Sequence, residues 1–247
     1  MRAIILAAGR GSRMKTLSLD KPKCLVEISG QPLLNFQLEA MRSSRIKDIA
    51  IVTGYKREML ENWTLQEFHN ASWNKTNMVS SLACASEWLT QYDCIVSYAD
   101  IFYGNQIIND LSLAPGKLNV AYDPHWLQLW SKRFANPLDD AETFRVNREG
   151  FIEEIGRKPS TLQEIEGQYM GLLKFTPQAW NEAERIRASL NVKVRNNLHM
   201  THLLQKIIDA GRIQISAIKC NEKWGEVDTM HDFRLYNGEA MSRNTKM

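Results

Sequence analysis

The sequence has no CxxC pair, no HExxH arrangement among its five histidines, and no apolar run long enough to span a membrane. Without such spacing the four cysteines (Cys24, Cys84, Cys94, Cys220) are expected to be free thiols in a reducing compartment rather than a disulfide framework or a zinc site. The first apolar run, residues 3–6, is too short for a secretory signal and leads straight into a glycine-rich loop. The Asn-x-Ser/Thr triplets at Asn62, Asn70 and Asn74 therefore carry no glycosylation, and a cytoplasmic location is expected. Excess charge of either sign is small: the net +3, with its basic residues clustered locally, excludes nucleic acid and an anionic membrane as partners. A Pro/Gly/Ser-rich linker and an internal repeat are also missing, so the 247 residues form a single domain. At 44% hydrophobic and 24% charged residues the chain has the composition of a globular protein, which removes disordered and fibrous classes.

What is present is concentrated at the start. Residues 3–6 have the apolar continuity of a buried strand and run into Ala7, Ala8, Gly9, Arg10 and Gly11. Two glycines in such a loop let the backbone approach a ligand and aim its N–H groups inward. Five cations, Arg10, Arg13, Lys15, Lys21 and Lys23, fall within fourteen positions of this loop. A strand, a loop of small residues and clustered cations together describe a polyphosphate site. It is neither a dinucleotide fingerprint, whose third glycine position is filled by Met14, nor a P-loop, which ends in Gly-Lys-Ser/Thr.

Further along, residues 49–53, 94–98 and 118–122 have strand character. Helical periodicity occupies 33–41, 57–65, 79–89 and 107–111 between them, with Asn77 placed as an N-cap. This alternation predicts an α/β fold, a Rossmann-like doubly wound and mostly parallel mixed sheet flanked by helices. From Glu142 the pattern changes to a hairpin (143–146 and 151–155, with a turn at 147–150). A strand at 169–175, helices at 178–190 and 200–210, a strand at 213–218 and an amphipathic segment from Met230 follow, and the polar end after Gly238 is expected to fray. The expected division is a first half (1–122) that carries the polyphosphate site, a second half (123–228) that carries the hairpin, and a C-terminal helix and tail (229–247). His199 and His202 share a helical face without a carboxylate partner, which is a packing pattern more than a ligand pattern.

In open α/β sheets, ligands lie beyond the carboxyl ends of the strands. Asp100 ends the apolar run 94–98, and Asp228 ends Trp224-Gly-Glu-Val-Asp228. Each alone is an ordinary helix cap; beside the cationic loop the pair reads as a Mg²⁺ site, since this ion takes one or two carboxylates and keeps phosphate oxygens and waters.

The combination of Ala-Ala-Gly9-x-Gly11-x-Arg13, Pro22-Lys23, Tyr-Ala-Asp100 and Glu-Val-Asp228 spans most of the chain. It resembles the small cytidylyltransferases of the sugar-phosphate nucleotidylyltransferase superfamily, which activate phosphocholine, aminoethylphosphonate or phosphoglutamine with CTP. The stretch Asn77-Met-Val-Ser80-Ser81 is similar to the one beside the nucleotide in that group. Residues 133–142 look most like the phosphoglutamine type. The resemblance implies a nucleotide-diphospho-sugar transferase fold and a Mg²⁺-dependent transfer of CMP from CTP to a small aminated phosphate, feeding surface-polysaccharide or lipid decoration. Nucleotide binding would fall to Leu6, Ala7, Ala8, Gly9, Gly11, Asn77, Ser80 and Ser81. Catalysis would fall to Arg13 on the departing pyrophosphate, Lys23 on the α-phosphate, and Asp100, which with Asp228 holds the metal.

For the acceptor, Trp126, Trp130 and Trp224 are candidates for an aromatic wall. Asp139, Asp140 and Glu142 are placed to meet an ammonium, Arg133 to meet a carboxylate, and Tyr169 lies on the same wall. Arg157 in Gly156-Arg-Lys158-Pro159 stands where sugar-specific relatives carry an acid, which argues against a hexose phosphate. The alternatives are a sugar-1-phosphate nucleotidylyltransferase using another NTP and a catalytically silent nucleotide-binding protein. The chain is expected to be a monomer or homodimer.

Overall fold

Strand β1 (Arg2–Ala7) lies near the middle of a seven-stranded sheet, and the small loop that follows it opens at the sheet's carboxyl edge. The computed structural model describes residues 1–244, with backbone only at 15, 16 and 239–244; the frayed end expected after Gly238 lies outside the fully described residues. The other strands are β2 (Ile49–Thr53), β3 (Gln66–His69), β4 (Cys94–Tyr98), β5 (Leu118–Asp123), β6 (Gln168–Phe175) and β7 (Ile215–Lys219). Their order across the sheet is β7-β5-β6-β4-β1-β2-β3. All neighbours are parallel except those involving β6, which runs antiparallel to both β4 and β5. The strand order reverses at β1 and β4, paired in parallel from Arg2 opposite Cys94 to Leu6 opposite Tyr98. Such a switch point leaves a crevice beyond both strand ends.

Buried β-branched and aliphatic residues make these strands, because helices cover both sheet faces. β2 and β5 are buried at every position. One apolar cluster gathers Ile4, Val52, Val96 and Val120 on one face; a second gathers Ile5, Ile51, Ile95 and Ala121 on the other, following the alternation of side chains along a strand. A third, smaller cluster of Met14, Val26, Ile28, Leu33, Val227 and Tyr236 lies under the glycine-rich loop. Met14 is fully buried there, which accounts for an apolar residue at the position a dinucleotide fingerprint gives to glycine.

The expected helices are present at α1 (Leu33–Ser43), α2 (Met78–Ala83), α3 (Gln106–Leu113), α5 (Pro177–Ser189), α7 (Met200–Ala210) and α8 (Met230–Asn244). Two further helices were not foreseen: α4 (Trp126–Arg133) and α6 (Val192–Asn196). The segment expected to be helical at 57–65 is a 3-10 helix, Arg57–Trp63, and the one at 79–89 breaks after α2 into a separate one-turn α-helix, Ser86–Leu89. Edge strand β3 escapes a pattern search because it is four residues long with only Phe68 buried. The hairpin is as expected, Phe144–Val146 against Ile152–Ile155, its turn held by the Asn147 carboxamide oxygen accepting from the Glu149 and Phe151 N–H groups. The sheet runs without interruption through the expected boundary at 122, since β5, β6 and β7 complete it.

Helix α5 begins with Pro177 at its first position and the Thr176 hydroxyl accepting from the Ala179 N–H at 3.4 Å, and it buries Trp180 edge-on to Phe175. Thr176→Ala is expected to cost about 1 kcal/mol, seen as a lower urea midpoint with an unchanged slope. A midpoint equal to that of the parent protein would show that the cap contributes nothing.

Candidate active site

Residues 8–11 follow β1 into the crevice, and Gly11 turns the chain with φ +65, a left-handed conformation that side chains resist. A Cβ at Gly11 would press on the aliphatic stem of Lys23 at 3.0 Å, so this glycine also makes room for the lysine. The 3-10 helix Ser12–Ser18 follows, tied back by the Ser18 hydroxyl donating to the Gly11 carbonyl at 2.7 Å, and it presents Arg13. Extended Pro22 then starts the turn Lys23–Leu25, which carries the Lys23 side chain inward.

Two acids meet that lysine from distant parts of the chain. Asp100 follows β4 by two residues. The two-residue strand Gly225–Glu226 pairs antiparallel with Ile101–Phe102, and the Val227 N–H donates to the Asp100 carbonyl at 2.8 Å, which brings Asp228 alongside. Lys23 Nζ is 2.6 Å from Asp100 Oδ2 and also pairs with Asp228 Oδ1, while Arg13 Nη1 lies 2.5 Å from Asp228 Oδ2. Burial disfavours the charged lysine, but Asp100, Asp228 and Glu226 outweigh it and hold the ammonium above its ordinary value. Glu226 is a third acid that the sequence reading missed, although it stands two residues before Asp228. Burial, with Asp100 and Asp228 adding to it, pushes Glu226 up to about 7 against the opposing Arg133 and Lys23.

Carboxylate oxygens of Asp100, Glu226 and Asp228 come within 4.8 Å of one another, and Asp100 Oδ1 is buried with no hydrogen-bond partner among the described residues. Hard oxygen donors this close fit a divalent cation that keeps open positions for phosphate and water.

A cleft of about 320 Å³ extends from this cluster between the loop and α2. Leu6, Ala7, Ala8, Gly9 and Gly11 line one side, Asn77 and Ser81 the other, with Arg13, Lys23, Asp100 and Asp228 at its end. Asn77 caps α2 by accepting from the Met78 N–H at 2.8 Å, and the Ser81 hydroxyl accepts from Asn70 Nδ2 at 3.0 Å. Ser80 lies outside this cleft, directed at the Arg195 carbonyl, because successive residues of a helix point about a quarter-turn apart. Trp73 is a wall residue that the reading missed. It packs against Gly54, where a Cβ would lie 2.6 Å from both the Ala8 carbonyl oxygen and Trp73 Cβ, and edge-on to Tyr55. Its position four residues before Asn77 was the available signal.

A second cleft of about 300 Å³ shares Arg13, Met78 and Tyr98 with the first. Asp140, Glu142, Tyr169 and Trp224 line it together with Gln168, His199 and Glu226. Gln168 grips the backbone of Glu142 from both sides, accepting from its N–H at 3.1 Å and donating to its carbonyl at 2.5 Å. The Glu142 carboxylate accepts a hydrogen bond from the Thr201 hydroxyl at 3.4 Å. Burial raises its pKa; the Thr201 hydrogen bond opposes this and Asp140 adds to it.

Four of the expected acceptor residues are placed elsewhere. Trp126 and Trp130 are buried in the apolar cluster beneath α4, because the amphipathic helix turns that face to the sheet; Trp126 Nε1 donates to the Ile165 carbonyl at 3.3 Å. Arg133 is buried on the same helix, paired with Glu226 and Asp232. The Asp139 carboxylate accepts from Asn136 Nδ2 at 3.1 Å, and its carbonyl takes the Lys158 ammonium at 2.8 Å. Arg157 is exposed, 3.7 Å from Glu154.

A model of the MobA-like NTP transferase domain matches residues 3–144. The chain is 38% identical over 251 aligned residues to the CTP:phosphoglutamine cytidylyltransferase of Campylobacter jejuni, covering 95% of this chain and 98% of that one. It is 35% identical to the choline-phosphate cytidylyltransferase of Haemophilus influenzae over 111 residues, 43% of this chain and 47% of the relative. Among solved structures, the CTP:phosphocholine cytidylyltransferase of Streptococcus pneumoniae superimposes with a TM-score of 0.75 at 21% identity, covering 96% of this chain and 98% of that one. The inositol-1-phosphate CTP transferase of Thermotoga maritima gives the same TM-score at 17% identity, covering 99% and 96%. These two structures share the fold.

Proposed function

This chain belongs to the MobA-like NTP transferase domain family, and from that premise we propose that it transfers CMP from CTP to a small phosphorylated acceptor, releasing pyrophosphate. The carrying observation is the junction of the two clefts, where Lys23 and Arg13 meet Asp100, Glu226 and Asp228. A nucleoside triphosphate in the first cleft and a phosphate ester in the second would bring their reacting phosphorus and oxygen together there. Support for an acceptor of the phosphoglutamine kind comes from the relative matched nearly end to end, and from the acidic character of the second cleft at Asp140 and Glu142.

An acceptor phosphate oxygen attacks the α-phosphorus in line, the α–β bridging bond breaks, and the pair of electrons leaves on pyrophosphate. No covalent enzyme intermediate is needed, because positioning and charge neutralisation carry most of this class of reaction. The loop backbone of residues 8–11 holds the nucleotide. Lys23 exchanges its carboxylate partners for the α-phosphate, where charge accumulates during attack, and Arg13, exposed at the rim, receives the departing pyrophosphate. Asp100, Glu226 and Asp228 would hold Mg²⁺, which when bound supplies Lewis-acid neutralisation of the phosphate oxygens. A cytoplasmic setting belongs to the same proposal, supported by the four cysteines standing as free thiols; among the described residues no helix is long and apolar enough to cross a membrane.

The test is pyrophosphate release with Mg²⁺, crossing the four NTPs against phosphoglutamine, phosphocholine, aminoethylphosphonate and glucose 1-phosphate. Release with CTP and an aminated phosphate is expected; release with a hexose phosphate alone would overturn the acceptor assignment. Glu142→Gln is expected to raise the acceptor KM about 10- to 100-fold, the value of a hydrogen bond to a charged group, leaving the CTP KM unchanged. An unaltered acceptor KM would remove Glu142 from that pocket.

A further inference from the structure

The Arg133 side chain is 1% exposed, and its guanidinium joins three elements. It leaves the last turn of α4, reaches Glu226 Oε2 with Nη1 at 2.8 Å, and donates to Asp232 in the first turn of α8 through Nε at 2.9 Å and Nη2 at 3.4 Å. Asp232 is 1% exposed as well. Its Oδ2 accepts from the backbone N–H of Asp228 at 3.0 Å, and from the N–H and hydroxyl of Thr229 at 2.9 and 3.0 Å. The Thr229 hydroxyl takes the Asp232 N–H in return, at 3.2 Å, so the pair forms a capping box at the start of α8. The backbone that carries Asp228 is thus fixed by Asp232, and Asp232 is fixed by Arg133.

One guanidinium therefore tethers both acids that the C-terminal segment contributes to the cluster: Glu226 directly, and Asp228 through Asp232. The planar fork grips the Asp232 carboxylate through two nitrogens, which a lysine ammonium cannot, and its third nitrogen ion-pairs with Glu226. Burying a cation is costly unless it is paired, so the arrangement stands only while Glu226 and Asp232 are both in register with it. We propose that Arg133 and Asp232 are positioning residues that set Glu226 and Asp228 in the geometry to hold a divalent cation with the bound nucleotide. The inference rests on the reading of Asp100, Glu226 and Asp228 as a cation site.

The test is Mn²⁺ binding followed by electron paramagnetic resonance in the presence of α,β-methylene-CTP, on the full chain, with thermal melts as the folding control. Arg133→Lys keeps the charge and loses the fork. It is expected to weaken Mn²⁺ binding about 10- to 100-fold, the range for residues that orient metal ligands, with the acceptor KM unchanged. Asp232→Asn keeps an acceptor for the backbone N–H groups and loses the ion pair, and it is expected to weaken Mn²⁺ binding in the same direction should the Lys variant not fold. Either variant, folded and with the wild-type Mn²⁺ affinity, overturns the proposal. A raised acceptor KM at unchanged Mn²⁺ affinity returns Arg133 to the acceptor. Wild-type protein that binds no Mn²⁺ with the nucleotide overturns the reading of the acidic cluster, and this inference with it.

Discussion

Lys23→Ala is expected to lower kcat/KM for CMP transfer by about two to three orders of magnitude, the loss that follows removal of a preorganised group facing developing charge. The same change should act on stability. Lys23 is a buried cation between two carboxylates, with Glu226 close by. Removing one partner of a buried pair typically costs about 3–5 kcal/mol because the remaining charges lose their compensation. The two effects separate experimentally: thermal melts give the stability, and rates taken well below the melting temperature give the catalytic term. A third readout follows from the geometry. Lys23 pairs with Asp100 and Asp228, so Lys23→Ala should free both carboxylates and tighten binding of a divalent cation without nucleotide, as measured by Mn²⁺ titration. A folded Lys23→Ala protein retaining more than a tenth of the activity would show that this lysine does not serve the α-phosphate.

Asp228→Asn is the second large effect. Asp228 is shared by Arg13 and Lys23, is almost fully buried, and lies in the group of three acids. The amide is nearly isosteric and still accepts a hydrogen bond, so the change removes charge with little loss of packing. Lewis-acid stabilisation is worth several kcal/mol, which at about 1.4 kcal/mol per tenfold amounts to roughly three orders of magnitude in rate. The Mg²⁺ concentration for half-maximal rate should rise in parallel. Initial rates across a Mg²⁺ titration, with an EDTA-treated control, measure both quantities. A rate within tenfold of the parent and an unmoved Mg²⁺ midpoint would exclude Asp228 as a ligand.

The two predictions differ in where their grounds were visible. Lys23 and the loop before it stand out in the sequence because a strand, two glycines and a Pro-Lys step are close neighbours in the chain. Asp100 was also legible, since an acid just after a buried strand exits at the sheet's carboxyl edge, whereas Asp228 reaches the same place from a two-residue strand outside that sheet. Arg133 was assigned to the acceptor because its neighbours Asp139, Asp140 and Glu142 are charged. The structure buries it instead, since residues 126–133 form an amphipathic helix whose inner face holds Trp126, Trp130 and Arg133. Glu226 was passed over because a single acid in a two-residue strand has no periodicity to mark it.

By itself the sequence determined the sheet's buried strands, the small-residue loop after the first of them, and that Lys23, Asp100 and Asp228 belong beside it. Those features depend on side-chain alternation and backbone freedom within a few residues. Only the tertiary structure decided which charges share the site. Pairing Gly225–Glu226 with Ile101–Phe102 sets Asp228 beside Asp100, and both meet Lys23 from 205 and 77 positions away in the chain. Closing α4 against α8 turned a candidate ligand for the acceptor into an internal brace. Both outcomes follow from which buried faces pack against one another, a property of the assembled chain that no local pattern encodes.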